Sequence, residues 1–187
     1  ATPGILVPIL LLGIVNIFAM NFHVLVPLFA KNVFHGGADT FGVLMSANGV
    51  GALLGAVIQA GRSASGPKAH TLVMAAVGIC TFELLLVPVR IFALAFGLLA
   101  LVGLCVILFS TTTNSLVQVQ TPDHLRGRVM SLYTMVFAGL TPVGSLIAGT
   151  TANLWGAPAA MAFGAVISLL GLVFLVSRFP HVLKHKE

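Results

Sequence analysis

Two long stretches without a charged side chain constrain the fold of this chain more than any other feature. Residues 1–30 and 129–177 contain no Lys, Arg, Asp or Glu. About 20 consecutive apolar residues are enough to cross a bilayer as a helix. Only 7% of all residues are charged and 58% are hydrophobic, whereas a soluble domain needs far more charge to cover its surface. The sequence therefore predicts a protein embedded in a lipid bilayer.

Charged residues, glycines and prolines divide the chain into six predicted transmembrane helices. Pro88 and Arg90 interrupt an apolar run that is too long for one crossing. Residues 153–158 form a predicted turn, and Trp155, the only Trp, lies there as an interfacial aromatic would. Thr121 is predicted to cap the start of the fifth helix. We expect an all-α membrane protein with helices at about residues 8–29, 41–60, 71–87, 92–119, 129–154 and 157–176.

The basic residues predict the orientation of these helices. Seven of them fall in the second and fourth connections and the tail, against two on the opposite side. Basic residues are enriched in cytoplasmic loops, so we expect both ends of the segment to be cytoplasmic. Their wide spacing is not the dense basic stripe of a nucleic-acid-binding protein. The seven are Arg62, Lys68, Arg126, Arg128, Arg178, Lys184 and Lys186.

The two cysteines indicate neither a metal nor a redox function. Cys80 and Cys105 both lie inside apolar runs, where a thiol acts as a small hydrophobic side chain. No Cys or His spacing is typical of a metal site. We expect no metal and no cofactor.

Two segments resemble the major facilitator superfamily of transporters. Residues 49–62, GVGALLGAVIQAGR, followed by GPK at 66–68, are similar to a degenerate copy of that superfamily's cytoplasmic loop signature. The full signature has an Asp before the Arg, but Gly61 stands before Arg62 here. Residues 121–133, TPDHLRGRVMSLY, continuing to GLTPVG at 139–144, look very like the eleventh helix of the enterobactin-exporter and macrolide-efflux branch. Residues 22–30 and 41–49 resemble its seventh and eighth helices.

The resemblance covers almost the whole chain and implies that its six helices are the C-terminal half of a twelve-helix transporter. The absence of a start Met fits a segment of something longer. The implied function is secondary active transport by alternating access, with proton-coupled efflux of an amphipathic small molecule such as a drug or siderophore. The implied partners are the lipid bilayer, that small-molecule substrate and an N-terminal six-helix half.

Glu83 is the only acidic residue inside a predicted span. A carboxyl group in a bilayer is costly, so it is expected to face the bundle interior, to be neutral or to be paired. One interpretation is a proton-coupling or cation-binding group. The other is an acid near the outer end of its helix that reaches water or pairs with Arg90.

Four further polar residues are candidates for the substrate cavity. Asn16 and His23 are seven positions apart and would share one face of a continuous first helix. Asn114 and Gln118 are four apart in the fourth helix, near a run of Ser and Thr that is expected to bond back to its own helix. Hydrogen bonding between helices is the alternative role for Asn and His.

Small residues and basic residues complete the set of candidates. Gly51 and Gly55 form a GxxxG pair, and glycines flank Pro142, where a kink is expected. Packing is the favoured role of these positions, although the pattern around Pro142, with Gly139 and Gly144, also resembles an antiporter motif. At the cytoplasmic loops, the basic residues could be plain topology anchors, which the charge count favours. The resemblance makes Arg62 and Arg126 candidates for gating contacts, with Asp123 as a possible partner, and Gly61 and Arg128 belong to the same loop motifs.

Two other functional classes compete with this interpretation. An intramembrane protease is disfavoured because Ser65 lacks the Gly that its nucleophile motif needs at position 63. We therefore expect no enzyme. A self-associating six-helix channel or half-transporter is the stronger alternative, and it would bury its open face against a second copy.

Overall fold

The computed structural model of the protein describes residues 3–62 and 66–179. Lys184, Lys186 and Ser65, on which parts of the sequence interpretation rest, lie outside the described residues. One 3-10 turn, Asp123–Leu125, precedes the sixth of eight α-helices. The eight helices are α1 (Pro3–Phe18), α2 (Phe22–Phe34), α3 (Ala38–Arg62), α4 (Ala69–Leu86), α5 (Phe92–Gln120), α6 (Arg126–Gly139), α7 (Thr141–Trp155) and α8 (Ala157–Arg178).

These helices form six segments that are long and apolar enough to cross a membrane. Two of the six are interrupted helices: α1 and α2 make the first span, and α6 and α7 make the fifth. The prediction of an all-α membrane protein with six spans is confirmed. Interrupted helices are tolerated at membrane depth where protein covers the freed backbone groups.

The first span is not the continuous helix that the sequence predicted at residues 8–29. The chain breaks at residues 19–21, where the amide nitrogens of Ala19 and Met20 both bond to the Val15 carbonyl, at 2.8 and 3.0 Å. The Asn21 side chain then donates to the Ile17 carbonyl at 2.7 Å. This side-chain bond replaces a helical backbone bond, which is why the interruption can be buried.

The fifth span breaks at Leu140, two residues before Pro142, where a kink was expected. Proline has no N–H to donate, and its ring crowds the preceding turn. The Thr141 hydroxyl donates to the Phe137 carbonyl at 3.0 Å and so satisfies one of the carbonyl groups at the break. The predicted cap at Thr121 is wrong: this residue ends α5, and its hydroxyl donates to the Val117 carbonyl.

Close backbone contacts hold α3 against α5, which packs against α4 on another side. A Cβ atom on Gly51 would overlap the Ala100 carbonyl group, and one on Gly55 would lie 2.8 Å from the Leu104 oxygen. In the reverse direction, a Cβ on Gly103 would overlap the Asn48 carbonyl oxygen. Small residues at such contacts allow helix backbones to approach closely in a membrane.

Contacts at both ends of the bundle show which helix ends lie together. Gly4 of α1 contacts Gln120 of α5, and Val7 lines a small apolar cavity with Ala69 and Val176. The start of α1, the start of α4 and the ends of α5 and α8 therefore meet at one end, which we call the basic end. At the opposite end, the exposed Trp155 ring packs edge-on against Phe163 at a centroid distance of 6.1 Å.

Candidate functional site

Glu83 is enclosed by the helix bundle. It lies on the packed face of α4 and is 2% exposed, and its Oε2 atom has no hydrogen-bond partner among the described residues. The face that it shares with Ile79 and Leu86 packs into the two hydrophobic clusters of the bundle. An enclosed carboxyl with an open acceptor position is an unusual group for a hydrophobic interior, because an unpaired charge there is costly.

Arg90 does not neutralise Glu83. Its guanidinium donates to the Val87 and Val89 carbonyls, at 3.1 and 2.9 Å, beyond the end of α4. The Glu83–Arg90 pair that the sequence left open is thus not formed within the part of the chain that the structure describes. Glu83 does not reach water either, since its side chain is buried.

Ser168 is a second buried polar group on a helix that packs against α4. It lies on α8, is fully buried, and its hydroxyl has no partner among the described residues. Sequence reasoning missed this residue. The available signal was its position between Gly164 and Gly171, whose added Cβ atoms would press against α1 at Phe18 and Ile14. A polar residue inside a row of small residues is typical of a helix contact in a membrane.

Asn16 and His23 do not share a face, contrary to the sequence expectation, because the helix is interrupted between them. Asn16 is buried, and its side-chain oxygen lies 3.4 Å from the Thr141 hydroxyl of α7, whose single proton it shares with the closer Phe137 carbonyl. His23 lies in α2 and is exposed. Asn16 therefore makes the contact between helices that was its alternative role, and the contact joins the interruptions of the first and fifth spans.

Asn114 and Gln118 lie together on α5, as their spacing predicted. The Gln118 amide donates to the Asn114 side-chain oxygen. Tyr133 of α6 reaches the same region: its hydroxyl donates to the Ser110 carbonyl at 3.3 Å and its side chain also bonds to Asn114. Two of the nearby threonine hydroxyls bond back to their own helix as expected, that of Thr111 at 2.6 Å and that of Thr113 at 2.7 Å.

The gating candidates occupy the basic end. Arg126 forms an ion pair of 2.6 Å with Asp123 one turn away, and both side chains are exposed. Arg62 and Arg128 are exposed and form no ion pair with a described residue. Gly61, which takes the place of the Asp in the loop signature, lies in the last turn of α3 and faces open space.

The glycine candidates divide into packed and exposed positions. Gly51 and Gly55 pack against α5, as described above. Gly144 packs against α1, where an added Cβ would lie 2.7 Å from the Ile17 oxygen. Gly139 and Pro142 are exposed, so a packing role for Gly139 is not realised within the described chain.

Two cavities open at the basic end, with volumes of about 310 and 340 Å³. None of the five predicted cavity residues lines either of them. Both are bounded by Gln59 and Arg62 of α3. The larger cavity is also lined by Thr111 and Ser115 of α5. The smaller one is also lined by Lys68, which precedes α4, and by His70 and Thr71 of α4. Among the described residues, no group of three or more metal-ligating side chains comes together.

Two of the six spans are covered much less than the others. The buried share of the apolar window is 22% in α3 and 17% in the α6–α7 span, against 61% in the first span. Gly42, Ser46 and Gly49 lie on one exposed face of α3, and a Cβ atom added at either glycine would meet nothing within 4 Å. This small-residue stretch is confined to the first half of α3, since Leu53 and Val57 are large, apolar and exposed, like Leu170 and Phe174 on the outside of α8.

A comparison with models of known protein families identifies the family of this chain. The model of the transmembrane secretion effector family, one of the major facilitator type, matches residues 6–186. The chain belongs to this family. The transmembrane secretion effectors are transporters rather than enzymes, so the chain is an integral membrane protein of a transporter family. No match was found among curated proteins or among solved structures.

Proposed function

We propose that this member of the transmembrane secretion effectors is the C-terminal half of a twelve-helix exporter. In this proposal an N-terminal half supplies six more helices, and the two halves rock about a site near the middle of the membrane. The cargo is an amphipathic small molecule, in the class of drugs and siderophores. The family's description as secretion effectors supports the outward direction of transport.

The uncovered small-residue face of α3 is the observation that carries this proposal. A helix surface that faces only lipid gains nothing from small side chains; the outside of α8 and the later turns of α3, with exposed residues such as Leu53, instead carry large apolar side chains. Gly42, Ser46 and Gly49 leave a shallow surface of the kind that another helix can approach closely. The α6–α7 span is similarly uncovered and also exposes polar residues, including Ser131 and Thr150.

Glu83 is proposed as the proton-coupling residue of the exporter. It is enclosed, and one carboxyl oxygen has no partner among the described residues. Protonation would remove the cost of a buried charge, so the protonation state of Glu83 would favour one packing arrangement of α4 over another.

The other candidates receive roles in the same scheme. His23, Asn114 and Gln118 are proposed to contact the substrate, and Asn16 to hold the first and fifth spans together beside it through Thr141. Arg62, Arg126 and Arg128 are proposed to hold the helix ends closed in one conformation. By the positive-inside rule the basic end faces the cytoplasm of a bacterial cell.

Transport by the chain alone and with its partner half tests the proposal. Efflux of a fluorescent amphipathic dye is measured in cells that express the 187-residue chain, either alone or beside a first half from the same transporter. Efflux only with the first half is expected. Efflux by the chain alone would refute the half-transporter assignment and would favour a self-associating six-helix carrier.

A further inference from the structure

A cleft at the basic end contains none of the residues proposed to contact the substrate or the coupling proton, although Arg62 borders it. It is the cavity of about 310 Å³ between the end of α3 and the start of α4. These two helices both pack against α5 but hardly against each other, so the cleft opens between them toward the surroundings of the bundle. Its lining residues in the described chain are Gln59, Arg62, Gly66, Pro67, Lys68, His70, Thr71 and Thr112.

The charged side chains that line this interhelical cleft in the described chain are all basic. Arg62 ends α3, Lys68 directly precedes α4, and His70 is the second residue of α4. No acidic residue is among the described lining residues, and neither Arg62 nor Lys68 forms an ion pair in the described chain. By contrast, Arg126, at the same end of the bundle, forms an ion pair with Asp123. The cleft therefore presents two unneutralised cations to whatever enters it.

Thr112 gives the cleft an open hydrogen-bond donor at its inner wall. This residue of α5 is 1% exposed, and its hydroxyl has no partner among the described residues. Other threonines of the same helix, Thr111 and Thr113, use their hydroxyls on their own backbone. A buried hydroxyl without a partner costs free energy, and a phosphate oxygen that entered the cleft would accept a bond from it.

The surroundings of the cleft favour a lipid over a free anion. Leu54, Val57 and Ile58 cover the outer side of α3 just before Arg62 and are exposed. Acyl chains would lie along these side chains while a headgroup occupied the charged end of the cleft. Basic pockets between helix ends on the cytoplasmic side are suited to anionic headgroups, which are abundant in that leaflet.

We propose that the interhelical cleft binds the phosphate group of an anionic phospholipid, with Arg62 and Lys68 as its cationic ligands and Thr112 as a hydrogen-bond donor. The chemistry recognised is a phosphate ester at the membrane surface. The proposal relies on the orientation given above, in which the basic end is cytoplasmic, but it does not rely on the identity of the cargo or on proton coupling.

Native mass spectrometry of the full protein in mild detergent tests this site, with phosphatidylglycerol, phosphatidylcholine and inorganic phosphate as probes. Each basic residue near a membrane surface contributes about fivefold to anionic-lipid affinity. Arg62→Gln combined with Lys68→Gln is therefore expected to weaken phosphatidylglycerol binding roughly 25-fold and to leave phosphatidylcholine binding unchanged. Thr112→Val, which keeps the side-chain shape, is expected to weaken it about tenfold.

The matched control removes the same charge from the same end of the molecule. Arg128→Gln combined with Arg178→Gln alters two exposed cations that do not line the cleft, and it is expected to retain phosphatidylglycerol binding. An equal loss in this control would overturn the proposal in favour of general surface charge. Full displacement by inorganic phosphate would overturn it in favour of a free-anion site. Equal binding of both lipids by the parent protein would also overturn it, because a site with two unneutralised cations should favour the lipid of net negative charge.

Discussion

Replacing Gly51 by Ala tests whether the contact of α3 with α5 is as close as the structure indicates. A Cβ atom at this position would overlap the Ala100 carbonyl oxygen and would lie 2.6 Å from its carbon and 2.9 Å from the Ala100 Cα. All three atoms belong to the backbone of α5, so no side chain can rotate away. The two helices would have to separate.

The expected cost follows from two opposing effects. Overpacking against a rigid neighbour costs up to about 3 kcal/mol. Alanine has a higher helix propensity than glycine, which stabilises the folded state by about 1 kcal/mol. The free energy of unfolding should therefore fall by about 2 kcal/mol, which corresponds to a decrease of roughly 4–8 °C in melting temperature for a chain of this length.

The two cysteines provide the assay. Cys80 and Cys105 are buried, so a thiol-reactive fluorophore reports their exposure as the purified protein is heated. Gly97→Ala is the matched control, because Gly97 is an exposed position of α5 with nothing within 4 Å of an added Cβ. It is expected to melt at or above the parent's temperature. If Gly51→Ala melts as high as Gly97→Ala, the close α3–α5 contact is refuted.

Three further changes test individual groups. Glu83→Gln is expected to melt no lower than the parent, since a neutral side chain of the same shape replaces an enclosed carboxyl. It is also expected to abolish the response of transport to a pH gradient imposed on everted vesicles. An unchanged response would exclude Glu83 as the coupling group. Asp123→Asn breaks an exposed ion pair with Arg126 and is expected to lower the melting temperature by no more than about 2 °C. A double-mutant cycle of Asn16→Ala and Thr141→Ala is expected to give a coupling of about 0.5 kcal/mol, and a value above about 1.5 kcal/mol would contradict the long hydrogen bond between them.

The six spans could be predicted from the sequence because charge is so costly in a bilayer. Each charged or turn-forming cluster, such as Arg62 to Lys68, must lie outside the hydrocarbon, so the clusters mark the ends of the helices. The kink before Pro142 was also predictable, since proline has a defined effect on a helix. Such signals depend on residue type alone.

The interruption at residues 19–21 was not predictable in the same way. No proline or glycine marks it, and it is stabilised by the bond of the Asn21 side chain to the Ile17 carbonyl and by packing against Gly144. The periodicity rule that placed Asn16 and His23 on one face assumes an unbroken helix. The prediction that Asn16 and His23 share one face was wrong because tertiary contacts, rather than local propensity, determine where this helix ends.

The uncovered small-residue face of α3 offers the most direct test of the half-transporter proposal. Gly49→Trp fills the face that is proposed to receive the first half, and the chain itself has room for the new side chain. Leu170→Trp places the same bulk on the outer face of α8, where Leu170 is 64% exposed. In cells that express both halves, Gly49→Trp is predicted to abolish efflux and co-purification of the first half, whereas Leu170→Trp retains both. Retention of both by Gly49→Trp would contradict the proposal that a second half packs on this face.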